Sequence, residues 1–181
     1  MRFQPILAAA LLFALAPLTF AAEPLQQIAQ AANAPKALGS DKNWSAYSAG
    51  SGKSLVCYLV GTPIKTLPEH VTRGHVGLDV THRPGENTFN VVNFQLGYDT
   101  KPDSSADLTV DGKKFSLFTA KQGAWARDGA TDKAVTMALD KGKVAVVKAV
   151  SEHNNTSTDT YTLDGFSTAL GLIDKACDVK R

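Results

Sequence analysis

The eleven residues from Leu108 to Phe118 constrain the fold most: Leu-Thr-Val, then Asp111-Gly112, then Lys-Lys-Phe-Ser-Leu-Phe. Asp-Gly between two arms of β-forming, alternating residues favours a two-residue hairpin, because glycine tolerates the positive φ that a type I′ turn demands. A chain that commits here to antiparallel pairing must bury one face of the resulting ribbon. The same period of two recurs along the sequence. Trp44 to Ala49 alternates, and Gly50-Ser51-Gly52 makes a turn before the β-rich run Ser54 to Val60. His75 to Thr81 places Val76, Leu78 and Val80 on one face, and Arg83 to Asn87 is turn chemistry. Thr88 to Leu96, Ala124 to Arg127, Lys143 to Val150 and Asp159 to Leu163 add further strands.

The period changes to that of a helix in two places. Thr131-Asp132 caps a predicted helix through Val135, Met137 and Leu139, with Gly142 just past its end. Phe166, Ala169, Leu170, Ile173 and Cys177 form one stripe of a second, C-terminal helix. Many short strands with two helices predict a mainly β fold, an antiparallel β-sandwich with one internal and one C-terminal helix.

The N-terminus reads as an export signal. Arg2 supplies the positive region, Ile6 to Ala16 the apolar run, and Thr19-Phe20-Ala21 a small-residue cleavage site. We expect residues 1–21 to be a signal peptide cut after Ala21; an uncleaved anchor is the alternative. Residues 22–42 read as a leader or linker, with helical spacing at Leu25, Ile28, Ala29 and Ala32, and the domain is expected over 43–181. No later run is apolar enough to span a bilayer after cleavage. Without Arg2 the chain carries 18 basic and 17 acidic side chains, with no basic stripe, so nucleic acid is not expected as a partner. In an oxidising compartment the two cysteines, Cys57 and Cys177, are expected to pair, tying the C-terminal helix to an early strand; two buried thiols are the alternative.

The ordered set Trp44, Cys57-Tyr58, Arg73-Gly74, Val80 to Pro84, Val110 to Phe115, Ala124 to Asp128, Val144 to Lys148, Asp159 to Phe166 and Ala176-Cys177 resembles the invasion-associated locus B family of exported bacterial proteins. The resemblance runs from about Trp44 to Cys177. It implies a periplasmic or secreted β-sandwich, or one associated with the outer membrane, with an unknown envelope or host-surface partner. It carries over no catalytic residue. Members usually show a Gly-Thr-Ser-x-Arg-Gly-Thr-like stretch where this chain has Ala149 to Thr156, with neither the Arg nor the Gly.

No catalytic constellation stands out. The histidines His70, His75, His82 and His153 lack zinc-like spacing, although His75 and Asp79 share a strand face. Cys57 as a nucleophile beside His82 conflicts with a disulfide. Gly50 to Ser54 lacks the leading glycine of a phosphate loop, since Tyr47 stands there. We therefore expect no metal, no cofactor and no catalytic residue, and a protein that acts by binding. The candidate contact residues are the aromatics Trp44, Trp125 and Tyr161 and the histidines His82 and His153. The competing readings are a small hydrolase assembled from His82, Asp159 or His153, and a metal-binding module.

Overall fold

In a computed structural model, residues 34–181 are described. The expected signal peptide and the helical spacing at 25–32 lie outside the described residues. The strands are β1 (Lys36–Asp41), β2 (Trp44–Ala49), β3 (Val56–Gly61), β4 (Lys65–Leu67), β5 (Gly77–Arg83), β6 (Thr88–Gln95), β7 (Ser105–Val110), β8 (Lys113–Ala120), β9 (Gly123–Trp125), β10 (Val144–Val150) and β11 (Thr156–Thr162). The helices are α1 (Gly129–Lys141) and α2 (Phe166–Ala176).

All strand neighbours pair antiparallel, in the order β1-β2-β3-β5-β6-β9-β8-β7-β10-β11-β4. The fold is thus mainly β and antiparallel, as the alternation predicts. The two layers, however, are halves of one continuous sheet joined through the three-residue β9. The halves face each other across a shared core, where the Tyr161 ring of β11 lies 5.8 Å from Phe94 of β6 and 6.5 Å from Trp44 of β2. Trp44 also meets Phe166 of α2 edge-on at 4.9 Å, and its indole N–H donates to the Thr162 carbonyl at 3.0 Å. Gly61 of β3 lies against that indole; a Cβ there would come within 2.4 Å of the ring. This wall of the core therefore needs a glycine opposite its largest side chain.

The Asp111-Gly112 turn forms as expected, with φ of 45° and 90°. The Asp111 carboxylate also accepts from the backbone N–H groups of Lys143 (2.7 Å) and Val144 (3.0 Å), fastening the hairpin to the start of β10. Two strands fall where the alternation gives no signal. β1 occupies part of the 22–42 stretch read as linker, and β4 lies between the runs read as strands at 54–60 and 75–81. Both are sheet edges, short and largely exposed, so neither needs an apolar face.

The α1 cap sits three residues earlier than the sequence suggests. Asp128, not Thr131-Asp132, is the N-cap and accepts from the Thr131 N–H at 2.7 Å. Asp132 points inward instead and accepts from the backbone N–H of Val92 at 2.9 Å, where the β6–β9 ladder, which begins at Asn93, gives no partner. Helix α2 buries the predicted stripe Phe166, Ala169, Leu170 and Ile173, packing on β1, β2 and β3. The Cys57–Cys177 disulfide joins β3 to its end, with Cα atoms 6.1 Å apart.

One polar contact ties α2 down. Buried His82 of β5 accepts the Asn90 backbone N–H on Nδ1 at 3.0 Å, so its proton sits on Nε2, which donates to Asp174 at 2.9 Å. Arg181 also donates to Asp174. Burial pushes the Asp174 carboxyl up, but the hydrogen bonds from His82 and Arg181 and the charge of Arg181 bring its net pKa below the usual carboxylate range. A depressed folded-state pKa contributes stability that is present above about pH 4 and lost as pH falls further. Asp174→Asn is therefore expected to lower stability at neutral pH and to flatten the decline below about pH 4. Urea titrations across a pH series check this; parallel curves for the variant and the parent would contradict it.

Candidate functional site

The segment after β4 positions the site. Pro68 to Val76 returns from the sheet edge to β5, and Gly74 donates its N–H to the Gly97 carbonyl at 2.8 Å. That bond sets Arg73 over the middle of β11. Its guanidinium donates to both oxygens of Asp159, at 3.0 Å from Nη1 and closer still from Nη2, and reaches the Leu96 carbonyl at 3.4 Å. The Asp159 side chain is 0% exposed and that of Arg73 10%. A buried carboxylate is tolerable only when paired, and here both of its oxygens are occupied.

The same guanidinium lies 5.8 Å from the Tyr98 ring centroid. The Tyr98 hydroxyl is 2.6 Å from the Ser157 hydroxyl, and burial pushes the phenol pKa up despite that bond. Above this polar floor opens a groove of about 350 Å³, with Pro68, Val71 and Arg73 on one side and Ser151, His153 and Ser157 on the other. Its second wall is thus the stretch in which the chain departs from the family pattern.

The segment beside the groove carries three exposed apolar side chains. Ile64, Leu67 and Val71 are 56%, 40% and 55% exposed. They flank or lie on β4, whose outer edge is the end of the sheet.

Of the five candidate contact residues, only His153 lines this groove; it is exposed, 3.5 Å from Glu152. Trp44 and Tyr161 are completely buried packing residues, and Tyr161 keeps a buried hydroxyl with no partner among the described residues. His82 is buried against α2. Trp125 is half-buried on the outer face of the sheet, beside Asn93 and Phe118 in register. The three residues of the hydrolase reading are likewise engaged separately: His82 with Asp174, Asp159 with Arg73, and His153 with Glu152. Sequence reasoning missed Tyr98, Ser157 and Val71. Arg73-Gly74 was visible as a motif, but not its pairing with Asp159.

A family model described as "Invasion associated locus B (IalB) protein" matches residues 44–174. The chain belongs to this family. The IalB match begins at Trp44, the first residue of β2, and ends at Asp174, the partner of His82, so it spans the groove and both of its walls. IalB membership and the disulfide together point to an exported, non-cytoplasmic protein. Among the described residues no helix is long and apolar enough to cross a membrane. No curated protein and no solved structure gives a significant match to the chain.

Proposed function

We propose that this IalB protein acts without catalysis, by binding a partner protein in the bacterial envelope or at a host surface through the β4 rim and the groove beside it. The observation that carries the reading is the exposure of Ile64, Leu67 and Val71 on or near β4, at an edge of the sheet. Exposed apolar side chains next to unpaired strand groups suit an added strand or an apolar segment of a partner. The buried Arg73–Asp159 pair supports it, because it fixes the loop bearing Val71. The same pair also speaks against hydrolysis through Asp159, whose buried oxygens each already accept a guanidinium N–H.

The test is site-specific photo-crosslinking in intact cells. A photoreactive residue at position 71 is expected to trap one discrete protein, and one at exposed Lys141 on α1 to trap none. Adding Ile64→Ser and Leu67→Ser should abolish the adduct with little change in thermal stability, since exposed substitutions usually fall within about 0.5 kcal/mol. Equal labelling from both positions, or an adduct indifferent to the two serines, would remove the rim from the function.

A further inference from the structure

The face of β2, β3, β5 and β6 that turns away from the core carries a second concavity, of about 390 Å³. It shares no lining residue with the groove. Register places Ser45, Val60, Asp79 and Asn93 side by side across the four strands. Gly77 leaves the floor open: a Cβ there would sit 3.3 Å from both the Gly61 carbonyl and His75 Nε2. Asn43, Ser45, Thr62, His75, Asp79 and Gln95 are its hydrogen-bonding side chains.

Asp79 is the unusual member. Its carboxylate accepts from the Asn93 amide at 2.9 Å, and from Thr81 only at 3.4 Å. Among the described residues no Lys, Arg or His nitrogen lies within 4.0 Å of it. Asp159 and Asp174, by contrast, each hold a cationic partner. Burial raises the Asp79 pKa, and the hydrogen bonds from Asn93 and Thr81 and the nearby charges of Arg83 and His75 only partly offset that. Asn93, itself 7% exposed, gives its amide N–H to Asp79 while its own carbonyl oxygen stays buried without a partner. The fold thus holds a half-buried carboxylate in place at a cost to itself, on the wall of a cavity.

We propose that this pocket binds the ammonium group of a small primary amine, with Asp79 as counter-ion and Asn43, Ser45 and Gln95 as neutral acceptors. Charge selects the class. No Lys or Arg lines the pocket, so an anion would face the carboxylate without a permanent positive charge to offset it. A divalent cation needs more ligands, and no group of three or more His, Cys, Asp or Glu converges among the described residues. A sugar would lack the broad stacking surface of a Phe, Tyr or Trp ring, none of which lines the cavity. An ammonium supplies the positive charge and the donors that Asp79 lacks.

The probe is n-butylamine, with n-butanol and N-acetylglucosamine as neutral comparisons, followed by NMR shifts of the Gly77 and Asp79 amides and by thermal unfolding. Butylamine is expected to shift these amides and the two neutral molecules are not. Asp79→Asn should weaken butylamine binding roughly tenfold or more while raising the unfolding temperature of the free protein, the opposing changes expected of a residue kept for binding. Gly77→Val should block the same binding by filling the floor, with Asp79 intact. The proposal is overturned if butylamine leaves the amides unshifted, if a neutral probe binds equally well, or if both variants bind it as the parent does.

Discussion

Replacing Arg73 by alanine is expected to cost about 3–5 kcal/mol in urea unfolding, the range for stranding one member of a buried ion pair. The loss should be unequal between the partners. Arg73 has a side chain 10% exposed, and without Asp159 its guanidinium can turn toward water; Asp159 is completely enclosed and has no such escape. Asp159→Asn should therefore cost less than Arg73→Ala. Once the aspartate is neutral, adding Arg73→Ala should cost only a little more, and the double-variant cycle measures that coupling. Equal, additive losses would mean that water reaches Asp159. Because Arg73 anchors the segment from Pro68 to Val76, the alanine variant should also weaken crosslinking from position 71, unlike a distant variant of equal stability.

Removing the Cys57–Cys177 bridge is the second large effect. The paired residues are 120 positions apart, and closing so long a loop is worth about 4–5 kcal/mol on chain-entropy grounds. The double variant Cys57→Ala, Cys177→Ala should lose most of that. Its denaturant m-value should rise, because the unfolded chain is no longer held in a loop and exposes more surface. Reducing the parent protein under unfolding conditions should reproduce the variant's curve. An unchanged midpoint would mean that the buried stripe of α2 and its polar contacts hold the helix without the bridge.

The sequence was legible where burial is one-sided. Cys57 and Leu59, Leu78 and Val80, Val92 and Phe94, and Leu108 and Val110 alternate because one face of each strand meets the core. β1 and β4 carried no such mark, since an edge strand in solvent can use any residue that pairs through its backbone. The α1 cap was misplaced for a related reason: Asp132 has the composition of a cap, but an orphaned N–H on β6 claims its carboxylate. The site was harder still. Alternation says that Trp44 and Tyr161 share a face with their neighbours, but not whether that face looks inward, and both prove to be core. Arg73 and Asp159 are 86 residues apart, and no local pattern links them. What the order of motifs did convey was the family, which depends on sequence rather than on knowing which faces are wet.

The position of α2 sets the order in which the core can be completed. Trp44, Cys57 and Leu59 are synthesised early, whereas Tyr161, Phe166, Ile173 and Cys177, which cover them, come from the last stretch of the chain. Until that stretch arrives, the first half of the sheet presents an apolar face with nothing to bury it, and it gains little by settling. For a chain made from its N-terminus onward, this is a built-in delay. The growing polypeptide stays slack while synthesis is under way, and the C-terminal helix then acts as a lock that engages only when the whole chain is present.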